Sequence, residues 1–405
     1  MTQQASQTGQ APLSGLRVLD LTTFLSGPFC TQILADLGAD VVKLEPPSGD
    51  SSRHIPPYFV DRDSAYFLAS NRSKRSVSVD MKHPEGIALV RRLIGTVDVV
   101  VENFRPDVPA RLGLDIAALR KQHPGLIWAS ITGFGLEGPW ANRPAYDMIV
   151  QALSGVMSLT GEPEGKSVRL GIPAGDTVAG LYAAVAINAA LVQRGITGQG
   201  RHIDVAMLDC QLSMLSYQSA YALIGGAKPG RQGAGHDSIP TYRTFTAGDG
   251  RDIAVTANTE KMWKGLCAAL GRSDLVDDPR FADGPSRLAN RVALWAELEP
   301  AFLARNGEEW ADLLTEHDVP NALIRTVPEA LDDARQSGRG MIVELAEGVD
   351  VVGSPIRMGQ GVPAPAGYPP ALGGDAESVL SDWLGAASAE VDAMRKAGVL
   401  KERGQ

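Results

Sequence analysis

Apolar residues in the first 135 positions fall into two alternating patterns. The short runs RVLDL (17–21), DVVKL (40–44), SVSVD (76–80), DVVVE (98–102) and LIWASIT (126–132) are β-branched and nearly continuous, as strands buried on both faces are. Between the first two, PFCTQILADLGA sets Phe29, Ile33, Leu34 and Leu37 on one helical face, with Pro28 at its start and Gly38 at its stop. PEGIALVRRLIG (84–95) repeats the arrangement. Strands and helices alternating at this spacing predict an α/β fold with a doubly wound, Rossmann-like sheet. Longer helices rich in Ala, Leu and Met are predicted at 177–194 and 204–223.

The pattern breaks after residue 224. GGAKPGRQGAGHDSIP (225–240) is a Gly- and Pro-rich loop or hinge, TYRTFTAGDGRDIAVTA reads as a β-hairpin about Asp249-Gly250, and helical segments run to about 318. RMGQGVPAPAGYPPALGG (357–374) reads as an extended crossing segment, with a closing helix near 376–397. The expected organisation is a disordered leader (1–14), a large α/β domain (15–224), a smaller α+β domain (225–330) and a return segment (331–405) that completes the large domain.

Composition narrows the function classes. A chain of 405 residues with net charge −9 is not built for nucleic acid. Cys30, Cys210 and Cys267 are odd in number and widely spaced, which offers neither a disulfide framework nor a zinc site. The opening MTQQASQTGQAPLSG lacks the apolar core of a signal peptide, and no uninterrupted apolar run reaches 18 residues, so a cytoplasmic protein without a membrane partner is expected.

GFGLEG (133–138) fits the G-x-G-x-x-G spacing after a predicted strand, but Pro139 and Pro144 follow where a dinucleotide site needs a helix. Cations cluster instead near the expected sheet edge: Arg53 after the second strand, Lys74 and Arg75 in NRSKR, and NFRPDVPARLGL (103–114) after the fourth. Gathered in an acidic protein, they suit a ligand with several phosphates on an adenine nucleotide. In RLGIPAGDTVAGLY (169–182), Asp176 stands between small residues and a predicted helix, where a carboxylate is by default an N-cap, a position compatible with a nucleophile's role.

Seven blocks in order, GLRVLDLTTFLSGPFCTQILADLGADVVKLEPPSGDSSR, NRSKRSVSVDMKHPEG, DVVVENFRPDVPARLGLD, SITGFGLEGPW, RPAYDMIVQALSG, GIPAGDTVAGLYAA and TGQGRHIDVAMLD, resemble the class III CoA-transferases, the family of formyl-CoA transferase and α-methylacyl-CoA racemase. The resemblance implies an interlocked homodimer whose large domain is built from both chain ends, with no permanently bound cofactor and with acyl-CoA and a small carboxylic acid as substrates. It implies Asp176 as the catalytic carboxylate, passing through an aspartyl anhydride and an aspartyl-CoA thioester. It assigns CoA contacts to Phe24, Lys74, Asn103, Phe104, Arg111 and Leu112, to which charge alone adds Arg53 and Arg75. Tyr146 and Asp147 match a tyrosine–acid pair lining the family's active site.

Two departures bear on the substrate. Leu25 replaces the glutamine of formyl-CoA transferases, and GAGHDSIPTYRTF replaces their run of glycines, a pattern closer to the branch that uses succinyl-CoA with dicarboxylic acids. A diacid brings a second carboxylate, for which His236, Arg243 and Arg169 are candidates. The alternatives are a 2-methylacyl-CoA racemase or epimerase and a catalytically silent CoA-binding protein.

Overall fold

The computed structural model describes residues 11–358 and 367–401. They divide into two compact units: one comprises the chain through Val156, Arg169–Gly225 and the chain from Ser337; the other comprises Met157–Val168 and Gly226–Gln336.

The larger unit contains β1 (Arg17–Asp20), α1 (Ser26–Asp36), β2 (Asp40–Glu45), β3 (Lys74–Val79), α2 (Pro84–Ile94), β4 (Val99–Glu102), β5 (Ile127–Thr132), α3 (Asp147–Leu153), α4 (Ala174–Thr197), β6 (His202–Ala206) and α5 (Met207–Met214). The strands form one sheet in the order β3-β2-β1-β4-β5-β6, all parallel, with Leu400–Lys401 added antiparallel to β3. Successive strand residues point to opposite faces, so the β-branched runs feed two cores. Val18, Val99 and Val101 pack with Leu34 of α1 and Ala183 and Ile187 of α4. Leu19, Val42 and Val100 pack with Leu89 and Leu93 of α2 and with Val379 and Trp383 of the C-terminal segment.

α4 lies close against α1 because Gly180 has no side chain: a Cβ there would stand 2.6 Å from the Ser26 carbonyl oxygen. At 24 residues and a mean hydropathy of 1.4 in its most apolar window, α4 is long and apolar enough by composition to cross a membrane, although its inner face belongs to the core.

Several boundaries differ from the expectations. β6 occupies 202–206, where a helix was expected from 204; its outer end is exposed, and HIDVA is too short to separate the two periodicities. The closing helix near 376–397 is two helices, Ala376–Leu384 and Ser388–Lys396, separated where Gly385 takes a left-handed φ of 66°. Residues 11–14 are not leader, since Leu13 is buried and its N–H donates to the Leu37 carbonyl at 2.9 Å. The rest of the expected leader, and 359–366 of the expected crossing segment, lie outside the described residues.

The smaller unit is an antiparallel sheet of β7 (Tyr242–Thr246), β8 (Asp252–Thr256) and β9 (Asn321–Leu323), in the order β9-β8-β7, beneath helices. Its own core includes Phe245 stacked on Phe302 at 4.3 Å, with Trp263 and Trp310. Met157–Val168 joins this unit rather than the domain that precedes it in sequence, because Gly233 N–H donates to Gly161 O and Arg231 Nε to Glu162 O, each at 3.0 Å. The unit extends to Gln336, beyond the expected boundary at 330, through the helix Val327–Gln336.

Candidate active site

Strand order reverses between β1 and β4, so their C-terminal ends diverge and leave a crevice, the usual ligand position in open parallel sheets. A cavity of about 360 Å³ lies there. Thr23, Phe24 and Ser26 line it after β1, Asn103 to Pro106 after β4, and Thr132 and Gly133 at the end of β5, with Arg143 to Tyr146, Met207 and Asp176 completing the wall.

Asp176 sits in the first turn of α4 and is not its cap, since Pro173 holds the N-cap position. Capping falls to Asp147, whose Oδ1 accepts the Gly175 N–H at 2.7 Å while its Oδ2 accepts from Gln151 Nε2 at 2.7 Å. Gly175 permits this approach, because a Cβ there would lie 2.7 Å from Val150 Cγ2 and 2.9 Å from Asp147 Oδ1. Asp176 instead receives hydrogen bonds from the side chain and backbone of Ser26, the first residue of α1. Its carboxylate therefore stands between the N-termini of two helices, where unpaired N–H groups favour negative charge. Burial, and secondarily the Asp147 carboxylate, outweigh these donors and push its pKa up to about 7.

Buried charges hold the turn that carries Phe24 and Ser26. Asp20 accepts from Thr22 N–H at 2.9 Å and from Thr31 Oγ1 at 2.6 Å. Lys43 Nζ donates to Thr22 O at 2.8 Å and pairs with Asp50 at 2.8 Å. Asp50 Oδ1 accepts from Phe24 N–H at 3.2 Å and Ser52 N–H at 2.9 Å. Phe24 is thereby held at a φ of 62°, a left-handed backbone that a bulky residue seldom adopts, with its ring edge-on to Tyr146 at 6.0 Å.

Ion pairing within the fold corrects three expected phosphate contacts. Lys74 is buried, its Nζ shared among Asp20 Oδ2 at 3.0 Å, Asn71 Oδ1 at 2.8 Å and Pro28 O at 3.0 Å, and burial lowers its pKa to about 8. Arg53 is 1% exposed, forked onto Glu45 with both bonds at 2.7 Å, paired with Asp63 at 3.0 Å, and stacked over Phe67. Arg75 pairs with Asp40 at 2.6 Å and Asp382 at 2.8 Å. The first two read as free cations in sequence because their acids stand on neighbouring strands and loops.

The remaining expected residues divide. Phe24, Asn103, Phe104 and Tyr146 line the cavity. Asn103 also bridges the crevice, exchanging hydrogen bonds with Thr23 N–H at 2.9 Å and Thr23 O at 2.8 Å. Asp147 touches the site through Gly175, as above. Arg111 is exposed and paired with Asp107 at 3.2 Å, while Leu112 packs against the second core rather than lining the cavity. Arg169 is exposed, its guanidinium donating to Leu170 O at 3.0 Å. His236 and Arg243 belong to the smaller unit, where His236 Nδ1 accepts from Ser238 N–H at 3.1 Å and Arg243 pairs with Glu299 at 3.1 Å beside Trp295. After GFGLEG the chain makes turns rather than a helix, and Gly133 lines the cavity.

Ser26 and Arg143 escaped the sequence reading, and Arg105 entered it only as part of a basic segment, although all three line the cavity. Arg105 lies inside the quoted NFRPDV block; Arg143 lies beside Pro144 with Phe134 and Trp140 upstream, a spacing that only the folded loop turns into a contact. Among the described residues no group of His, Cys, Asp and Glu gathers as metal ligands.

The profile of CoA-transferase family III matches residues 13–376. A succinate–glutarate CoA-transferase of Agrobacterium fabrum is 41% identical, over 82% of this chain and 85% of its own. A succinyl-CoA:mesaconate CoA-transferase of Haloarcula marismortui is 38% identical, over 89% and 93%. The crystal structure of a CAIB/BAIF family protein from Brucella suis superposes with a TM-score of 0.84 at 37% identity, covering 92% of this chain and all of that one.

Proposed function

Since the chain belongs to CoA-transferase family III, we propose that it moves CoA from succinyl-CoA to a small dicarboxylic acid, with Asp176 as the covalent carrier. The observation that carries this reading is a cavity-lining, half-buried carboxylate with a pKa near 7, held by Ser26 and relieved of capping by Asp147. Its relatives include transferases named for glutarate and for mesaconate, both diacids.

An ionised Asp176 oxygen attacks the thioester carbonyl, and the C–S electron pair leaves with CoA as thiolate, giving a mixed anhydride. The thiolate attacks the aspartyl carbonyl and expels succinate, leaving an aspartyl-CoA thioester. The acceptor carboxylate attacks that thioester and releases the thiolate, which then takes the acceptor acyl group and restores the Asp176 carboxylate. One thioester replaces another, so the exchange needs no net proton, electron or hydrolysis. The basic side chains Arg105 and Arg111 on the segment after β4 suit the phosphates of CoA. A homodimer would cover Leu181, Val185, Val192 and Ile196, which α4 exposes on the single subunit.

Succinyl-CoA offered with a panel of acids, with products read by mass spectrometry, tests the reaction. Hydroxylamine added to enzyme loaded with acyl-CoA should convert Asp176 to a hydroxamate in a peptide map. Transfer undiminished in Asp176→Asn would refute the assignment.

A further inference from the structure

The cavity has an electrostatic difficulty that its own residues resolve. An acceptor dianion must enter beside Asp176 and Asp147, two carboxylates that repel it. Among the cavity-lining residues, Arg105 and Arg143 are the cations, and among the described residues neither has a carboxylate within ion-pair distance. This contrasts with Lys43, Arg53, Lys74, Arg75 and Arg243, each already paired.

The two arginines come from different segments of the chain. Arg105 follows β4 on the segment that also bears Arg111, a pair fit for a multiply charged phosphate group. Arg143 lies on the segment after β5, three residues before Tyr146, in the stretch leading to the Asp147 that caps the Asp176 helix. Its guanidinium carbon is 5.0 Å from the Trp140 ring centre and 5.4 Å from that of Phe134. Contact with two aromatic rings leaves the guanidinium N–H groups unpaired by any acid among the described residues, and a guanidinium fork suits a planar two-oxygen anion.

We propose that Arg143 is the specificity residue that receives the distal carboxylate of the dicarboxylic acceptor while the other carboxylate faces Asp176. The inference rests on the transferase reading above and deepens it, naming the group that distinguishes a diacid from a monocarboxylic acid. It moves this role from His236, Arg243 and Arg169 to a residue that lines the same cavity as Asp176.

The test compares wild type, Arg143→Gln and Arg143→Lys with succinyl-CoA as donor and either glutarate or butyrate as acceptor. For Arg143→Gln, the ratio of kcat/KM for glutarate to that for butyrate should fall about tenfold or more, the loss of a charge-assisted hydrogen bond. The fall should appear in the glutarate KM and, because the succinyl group of the donor carries a free carboxylate of its own, in the KM for succinyl-CoA as well, while the affinity for free CoA stays unchanged. Arg143→Lys should recover part of the ratio, because it restores charge without the planar fork. An unchanged ratio with both acceptors slowed equally would overturn the assignment, as would a weakened affinity for free CoA with an unchanged ratio, which would place a CoA phosphate on Arg143. Failure of the underlying reading looks different: wild type would transfer CoA to neither acid.

Discussion

Placing the Asp176 pKa near 7 makes transfer sensitive to pH in a calculable way. Only the ionised carboxylate attacks a thioester, and a group of pKa about 7 is roughly one-tenth ionised at pH 6 and nine-tenths ionised at pH 8. The rate kcat/KM for succinyl-CoA, which reports the free enzyme, should therefore rise about tenfold between those pH values and level above them. Asp147→Asn distinguishes this titration from any belonging to the CoA phosphates. Asparagine still offers an oxygen to the Gly175 N–H but carries no charge, so the Asp176 carboxylate should ionise at lower pH and the inflection should move down. Stability gives a second, activity-free readout. The folded pKa of Asp176 exceeds the unfolded value, so the folded state binds its proton more tightly, and stability is lost as pH rises from about 4 to about 7. Asp176→Asn removes that penalty: in urea unfolding it should be more stable than wild type at pH 8, with the difference shrinking toward pH 4. A flat rate profile from pH 5.5 to 8.5, or an Asn variant less stable than wild type at pH 8, would refute the account.

Asp50→Ala should lower stability by about 3–5 kcal/mol in urea unfolding, because it strands the buried Lys43 charge and takes the acceptor from the Phe24 and Ser52 N–H groups. Gly180→Ala should cost about 1–3 kcal/mol and lower kcat, since the added methyl pushes α4 from the Ser26 carbonyl that it would otherwise approach to 2.6 Å. Lys74→Met should lower the melting temperature more than it raises the KM for acyl-CoA, the reverse of what an exposed phosphate contact would give; thermal unfolding and steady-state kinetics at two salt concentrations decide it. Among the described residues no histidine lines the cavity to serve as the second base of a racemase, so 2-methylacyl-CoA held with the enzyme in D₂O should show no α-deuterium by NMR.

What the sequence made legible was whatever depends on near neighbours. Val18, Val41, Val99 and Ile127 announce buried parallel strands because each lies in an apolar run that no helix of such brevity would use. Charges were another matter. Arg53 and Lys74 look like free cations in a linear reading, and only the fold brings Glu45, Asp63 and Asp20 against them. Arg143 presents the opposite case: its neighbours in sequence gave no reason to single it out, and its worth lies in having found aromatic faces but no acid.

The ambiguity at Asp176 has the same origin. Local rules correctly require an acceptor at the start of a helix whose N-cap, Pro173, has no side-chain acceptor to supply one, and Asp176 is the acid at hand. The acceptor comes instead from Asp147, 28 positions before Gly175, a distance over which no local rule operates. Once Asp147 takes the Gly175 N–H, capping no longer constrains Asp176, which can turn toward Ser26 and the crevice. The capping carboxylate also adds a negative charge beside the one that it frees, so the contact that releases Asp176 also raises its pKa. Exchanging Asp147 for Ala should therefore injure both functions, weakening the start of α4 while lowering the Asp176 pKa, whereas Asp147→Asn should separate them.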